Sequence, residues 1–173
     1  MKMHNNRNSK PHIPVFIADN NLFNKDSLYQ VSFSSMVTES KTAENVVSYI
    51  PGKTNETIVI SAHYDHIGFD RGEVCNGADD DGSGTVALMN IAKAFQEAYE
   101  DGKTPERKIV FLMVSGEEKG LFGSQFYTEN PIFDLEKTMV NLNIDMVGRQ
   151  DTVQDDNNYI YLIGSDKISK DLH

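Results

Sequence analysis

Residues 57–68 read TIVISAHYDHIG, an apolar run that gives way at once to histidine and aspartate. The run itself, Thr57–Ala62, is rich in β-branched residues, and a short continuous run of this kind is typical of a strand buried on both faces. Two similar runs follow, KIVFLMV at Lys108–Val114 and TMVNLNI at Thr138–Ile144. Together the three runs predict the central strands of one sheet.

Helical spacing separates the first two of these strands. Residues 83–99 carry apolar side chains at intervals of three and four, which is typical of one helix face: Leu88, Ile91, Ala92, Phe95 and Tyr99. A second helix is predicted to start in Leu121–Tyr127, and further strands are predicted at Asn45–Ile50 and Tyr159–Ile163. Strands that alternate with helices predict an α/β sandwich.

The N-terminal part has a different character. Residues 1–12 are polar and basic and predict a flexible tail, which leaves residues 13–173 as the domain. From Tyr29 to Val37 apolar and polar residues alternate, and this period of two predicts a half-buried strand.

The charge balance limits the classes of function. The 173 residues include 16 Lys and Arg against 26 Asp and Glu, a net charge of −10, whereas nucleic-acid binding requires clustered basic residues. The longest apolar run, Ile109–Val114, is too short to cross a bilayer. The single cysteine, Cys75, excludes an intramolecular disulfide framework. We therefore expect neither a nucleic-acid nor a membrane partner; the sequence does not indicate an oligomeric state.

Acidic and imidazole side chains follow each central strand. His63 follows the first strand, Glu117 and Glu118 follow the second, Asp145 follows the third, and residues 77–84 (GADDDGSG) precede the long helix. The carboxyl ends of neighbouring strands form the ligand-binding edge of such folds. Crowded carboxylates repel one another, and one imidazole with several carboxylates suits Zn²⁺, Mn²⁺ or Co²⁺. A bridging carboxylate would hold two such ions ~3.5–4 Å apart.

These motifs, taken in order, resemble a known family. H-Y-D-H-x-G, G-A-D-D-D-G-S-G, G-E-E and N-x-D-M are similar to the motifs of the zinc aminopeptidases of peptidase family M28, the aminopeptidase Y or leucyl aminopeptidase group. The resemblance runs from Asn45 to the last residue. It implies a three-layer αβα sandwich with a mixed, mostly parallel central sheet, and two zinc ions with Co²⁺ or Mn²⁺ as substitutes.

The resemblance also implies a role for each matching residue. His63 and Asp145 would bind the first metal, Asp80 would bridge both metals, and Glu118 would bind the second. The family takes its last second-metal ligand from a histidine well downstream of the Asp145 position, whereas this sequence ends at His173. We therefore expect an incomplete peptidase domain from a longer parent, which the family resemblance implies is secreted or periplasmic.

Two further residues complete the implied mechanism. Glu117 would act as the general base, taking a proton from a water held between the metals and passing it to the departing amine. Asp65 would accept the second ring N–H of His63 and fix its tautomer. The resemblance implies an exopeptidase for peptides with a free N-terminus.

Less specific interpretations apply to neighbouring residues. His66 is predicted to be a hydrogen-bonded loop histidine, and Asp79 and Asp81 to be turn or helix N-cap residues rather than ligands. An EF-hand register fails, because Gly77 and Leu88 would occupy positions that require acids. Neither a phosphate-binding loop motif nor a G-x-S-x-G serine-hydrolase motif is present.

Three alternatives to an aminopeptidase stay open. Glutaminyl cyclases resemble the same family, but they use a single zinc and transform an N-terminal glutamine without cleaving a peptide bond. A carboxypeptidase or dipeptidase would keep the chemistry and change the recognised end of the substrate. A metal-binding fragment without catalytic activity is the third alternative.

Overall fold

A computed structural model of the chain describes residues 42–153 and 159–168. Within these ranges the elements follow in the order β1 (Val46–Ile50), β2 (Thr57–His63), β3 (Gly68–Asp70), β4 (Glu73–Cys75), α1 (Gly82–Glu100), β5 (Lys108–Val114), α2 (Phe122–Glu129), a 3₁₀ helix (Leu135–Lys137), β6 (Thr138–Asn143) and α3 (Ser165–Ile168). The predicted tail at residues 1–12 and the predicted strand Tyr29–Val37 lie outside the described residues.

The larger sheet has four strands in the order β1-β5-β2-β6. β2 runs parallel to both β5 and β6, and β1 runs antiparallel to β5, so the predicted mixed and mostly parallel sheet is confirmed. The register pairs Thr57 with Lys108 and His63 with Val114. The carboxyl ends of β2, β5 and β6 therefore meet at one edge of the sheet.

Alternating side chains of the central strands form a core on each face of the sheet. On one face Ile60 and Phe111 pack with Leu88 of α1, which is fully buried. On the other face Val59 and Val110 pack with Tyr127 of α2. Helices on both faces make a three-layer αβα arrangement, as predicted, because strands buried on both faces need an apolar cover on each side.

Two parts of the chain differ from the sequence prediction. The hairpin of β3 and β4 was not predicted, because its three-residue strands are largely exposed and carry no hydrophobic periodicity. The predicted strand Tyr159–Ile163 was wrong, since these residues form no strand in the structure and their apolar side chains, such as Ile163 at 95% exposure, face solvent. Among the described helices none is both long and apolar enough to span a membrane.

Candidate metal centre

Four segments bring the acidic and imidazole side chains to the carboxyl edge of the sheet. β2 ends at His63, and β6 ends two residues before Asp145. After β5 the chain turns at Gly116, whose φ of +75° is a left-handed conformation that glycine adopts without strain, and Glu117 follows directly. Asp80 lies just before α1, which fills the crossover between the parallel strands.

His63 lies at the centre of this group and is 98% buried. Its Nδ1 lies 2.9 Å from the main-chain oxygen of Asp65, and a carbonyl oxygen can only accept a hydrogen bond. Nδ1 therefore carries a proton, and when the ring is neutral the lone pair of Nε2 is available to a metal ion. Nε2 lies 3.1 Å from Asp80 Oδ1 and 3.9 Å from Asp145 Oδ1.

Asp65 contacts His63 through a different atom from the one expected. We expected its carboxylate to accept the ring N–H, but Oδ1 lies 3.8 Å from Nδ1 and the main-chain oxygen takes that hydrogen bond. The carboxylate instead accepts the main-chain N–H of Glu117 at 3.2 Å. Residue spacing cannot distinguish the two oxygens, because both belong to the same residue two positions after the histidine. Asp65 thus links the loop after β2 to the turn after β5.

Asp81 is the N-cap residue of α1, which is one of the two roles, turn or N-cap, predicted for it. Its Oδ1 accepts N–H bonds from Gly84 at 3.0 Å and Met146 at 3.2 Å, and its Oδ2 accepts the N–H of His63 at 3.2 Å. Burial raises the pKa of Asp81, although the two hydrogen bonds to Oδ1 oppose that shift. Both carboxylate oxygens accept main-chain N–H groups, so Asp81 connects the end of β2, the first turn of α1 and the loop after β6.

Asp80 stands between two groups of potential ligand atoms. The first group comprises His63, Asp81 and Asp145, and the second comprises His66, Asp80 and Glu118; within each group the ligand atoms lie within 4.8 Å of one another. Asp81 already accepts three main-chain N–H bonds, whereas Asp80 belongs to the second group and also contacts His63 of the first, so Asp80 is the better candidate for a carboxylate shared by both. Its 3.1 Å contact with His63 Nε2 places it within reach of the first.

His66 belongs to this centre, although sequence analysis interpreted it as a loop residue. Its Nδ1 lies 3.0 Å from Glu118 Oε1. Both atoms are buried, and neither has a hydrogen-bond partner of acceptable geometry among the described residues. The one signal in the sequence was its position three residues after His63, in the same segment after the strand.

Besides Asp81, two other groups of the centre, His63 and Glu117, have pKa values that differ from their ordinary values. Burial lowers the pKa of His63, but the Asp65 hydrogen bond and the nearby carboxylates outweigh it, and the pKa is raised from 6.5. Burial raises the pKa of Glu117; His63 opposes this, and Glu118 adds to it. A carboxyl group whose pKa is raised holds a proton more readily than an ordinary carboxyl group, so Glu117 is suited to accept and return one.

The metal-free chain is expected to lose stability as the pH rises above about 6.5 and through the raised pKa of His63. The pKa of His63 is higher in the folded chain than its ordinary 6.5, so its contribution is complete below pH 6.5 and is lost as the pH passes the folded-state pKa. Thermal unfolding with chelator present, followed across this range, checks the trend. His63→Gln should flatten it, and a wild-type melting temperature that rises with pH would contradict it.

The chain matches known proteins over the region that forms this centre. Residues 45–167 match peptidase family M28. Leucine aminopeptidase 1 of Fusarium vanettenii is 40% identical over 105 residues, which cover 58% of this chain and 26% of that protein. The chain thus spans about a quarter of the length of the curated relatives it matches.

Solved structures with the same fold include more than one type of enzyme. BSAP, a zinc aminopeptidase from Bacillus subtilis, matches with a TM-score of 0.52 and 30% identity over 62% of this chain and 25% of that chain. A glutaminyl cyclase from Bacteroides thetaiotaomicron, bound to N-acetylhistamine, matches with a TM-score of 0.50 and 24% identity over 60% and 41% of the two chains. The second match shows the fold alone.

The family match includes all four motifs at the carboxyl edge of the sheet, from His63 to Asp145. The fold is the one that the family resemblance implies, and the matched region supplies both the imidazole and the carboxylates. The family expected from the motifs is therefore confirmed, and the chain belongs to peptidase family M28.

Proposed function

We propose that the chain forms the metal-binding part of an aminopeptidase that removes N-terminal residues from peptides. The main support is the position of Asp80, which lies 3.1 Å from His63 Nε2 and also belongs to the group that contains Glu118. A carboxylate between two cation positions is the arrangement that two-metal hydrolases use. The likeness to leucine aminopeptidase 1 and to the zinc aminopeptidase BSAP favours peptides as substrates.

The donor set fits zinc. One neutral imidazole nitrogen, two carboxylates and an open position form a typical catalytic zinc site, and His63, Asp80 and Asp145 supply the protein ligands of the first ion. Asp80 and Glu118 would hold the second ion, and Co²⁺ or Mn²⁺ suits the same ligands. Zinc lowers the pKa of bound water and polarises a carbonyl oxygen. Glu118 Oε1 is buried without a hydrogen bond, which costs free energy of folding. A bound cation would offset that cost, so this observation supports a ligand role.

Glu117 is the residue that moves the proton in this proposal. Its raised pKa allows the carboxylate to take a proton from the attacking water and to return it to the amine that leaves. The hydrogen bond from its N–H to Asp65 fixes the turn that positions it.

The decisive test is turnover of matched substrates by the zinc-loaded chain. Leucine p-nitroanilide should be hydrolysed and its N-acetylated form should not, because acetylation removes the free α-amine that an aminopeptidase requires. A glutaminyl peptide assayed for pyroglutamate separates the cyclase alternative, and a C-terminally blocked peptide separates a carboxypeptidase. Equal cleavage of the acetylated substrate, or pyroglutamate formation without cleavage, would overturn the proposal. A zinc-loaded chain without turnover on any of these substrates would leave the inactive metal-binding alternative.

Chelation is expected to lower the melting temperature of the chain. Ions that bind only the folded state stabilise it, by ~2.7 kcal/mol per site when the free ion is 100 times its Kd. The effect should grow from about pH 6 to 8, because protons compete with metal for the same ligands. Calorimetry with and without chelator, with metal content verified, measures it. An unchanged melting temperature after verified removal of zinc would be evidence against the centre.

A further inference from the structure

We propose that His66 is a protein ligand of the second cation position, through Nδ1, together with Asp80 and Glu118. This inference rests on the proposed metal centre and adds a nitrogen ligand to it. The chain would then supply one histidine to each position, His63 to the first and His66 to the second, with Asp80 between them.

The contact between His66 and Glu118 is the first support. Their closest atoms, Nδ1 and Oε1, are 3.0 Å apart, yet they do not form a hydrogen bond of acceptable geometry. Both side chains are largely buried, at 18% and 15% exposure, so water does not readily compensate for the missing bonds. A cation bound by both atoms would compensate for the missing hydrogen bonds. Zinc–ligand distances of ~2.0–2.2 Å allow two ligand atoms of one ion to lie about 3 Å apart.

Asp80 is the third member of the group formed by His66 and Glu118. One carboxylate oxygen of Asp80, one of Glu118 and one ring nitrogen of His66 lie within 4.8 Å of one another. Two carboxylates alone would be an acidic cluster without a direct indication of metal. The imidazole makes the group a candidate metal site, because a neutral nitrogen beside two oxygens is a usual donor set for zinc or cobalt.

The backbone also makes room for the His66 ring. A Cβ added at Gly77 would come within 2.8 Å of both Cβ and Cγ of His66, so the ring lies directly against this glycine. A larger residue at position 77 would therefore displace the side chain that brings Nδ1 to within 3.0 Å of Glu118 Oε1. A solvated loop histidine would not need such a position.

Metal binding by the full chain tests the assignment. The chelated protein is titrated with Co²⁺ and with Zn²⁺ in a calorimeter, and elemental analysis gives the ions per chain. The wild type should bind two ions. His66→Ala should bind one, with the second weakened by more than ~100-fold, which exceeds the ~10–100-fold cost of losing a residue that only orients a ligand.

Two replacements separate ligation from positioning. His66→Gln retains a donor that can reach Glu118 but is a poor metal ligand, so the second ion should still be lost. His66→Asp cannot donate to Glu118 but offers an oxygen ligand, so it should recover part of the second-site affinity. If glutamine restores two ions and aspartate does not, His66 positions Glu118 and the assignment is overturned.

Imidazole ¹⁵N spectra provide a readout that does not depend on activity. The Nδ1 resonance of His66 should change to that of a metal-bound nitrogen with the second equivalent of zinc, and Asp145→Asn, the matched control, should weaken only the first equivalent. A wild type that binds two ions while His66→Ala also binds two with unchanged affinity overturns this inference and leaves the proposed function standing. A wild type that binds no ion overturns both.

Discussion

Replacing Glu117 with glutamine is expected to lower kcat by ~10²–10⁴-fold while zinc content stays at the wild-type level. The carboxylate is not a ligand in the proposed centre, so the amide has no reason to displace an ion. It cannot take a proton from water, however, and it cannot return one to the leaving amine. The raised pKa of Glu117, caused chiefly by burial, is the property that the amide removes.

Steady-state kinetics on leucine p-nitroanilide, with elemental analysis of the same samples, measures this effect. Glu97→Gln is the matched control, since Glu97 is a largely exposed residue of α1 and its replacement should leave kcat within experimental error. The pH profile adds a second criterion, because the acidic limb of kcat/KM should disappear in Glu117→Gln. A variant that holds its zinc and retains wild-type kcat would exclude Glu117 as the base.

Asp81→Ala is expected to destabilise the metal-free fold by ~3 kcal/mol or more. Asp81 is 99% buried and accepts three main-chain N–H groups, and each donor left unsatisfied in the interior costs ~1–3 kcal/mol. Loss of the helix N-cap is part of this cost. Urea unfolding in the presence of chelator measures it without a contribution from bound metal.

Two further variants sharpen the interpretation. Asp81→Asn keeps Oδ1, which accepts the N–H groups of Gly84 and Met146, but replaces Oδ2 with an NH₂ group that faces the N–H of His63. We therefore expect a loss of stability smaller than that of Asp81→Ala. Asp101→Asn, at an exposed residue beyond the end of α1, should change stability by less than about 0.5 kcal/mol. If Asp81→Asn left stability unchanged and reduced zinc content instead, Asp81 would be a metal ligand rather than a residue that connects three segments of the main chain.

The central strands could be predicted to within a residue or two because their sequences carry two signals at once. Thr57–His63 and Lys108–Val114 are continuous apolar or β-branched runs, and a change to glycine or charged residues marks their ends. The β3–β4 hairpin carries neither signal. The apolar stretch Tyr159–Ile163 does carry the signal of a strand, but a strand exists only where another strand pairs with it, and the structure shows no such pairing for these residues.

The candidate site could be predicted as a set of residues but not as a set of contacts. Three parallel strands place His63, Glu117 and Asp145 at one edge of the sheet, and topology alone accounts for that. Which oxygen of Asp65 meets the imidazole depends on how the loop after β2 folds. The approach of His66 to Glu118 joins two loops that are far apart in sequence, so no local pattern encodes it.

The parallel order of β5, β2 and β6 also determines when this centre can form. Ser61 of β2 lies beside Asn143 of β6, a residue 82 positions later in the chain. Closing such long loops costs entropy before the contact is gained, so folds with high contact order fold slowly. During synthesis the segment with His63 leaves the ribosome well before Asp145 is made. The first cation position therefore assembles only after β6 has been made and paired with β2, so an ion can stabilise that pairing but cannot nucleate the strands that precede it.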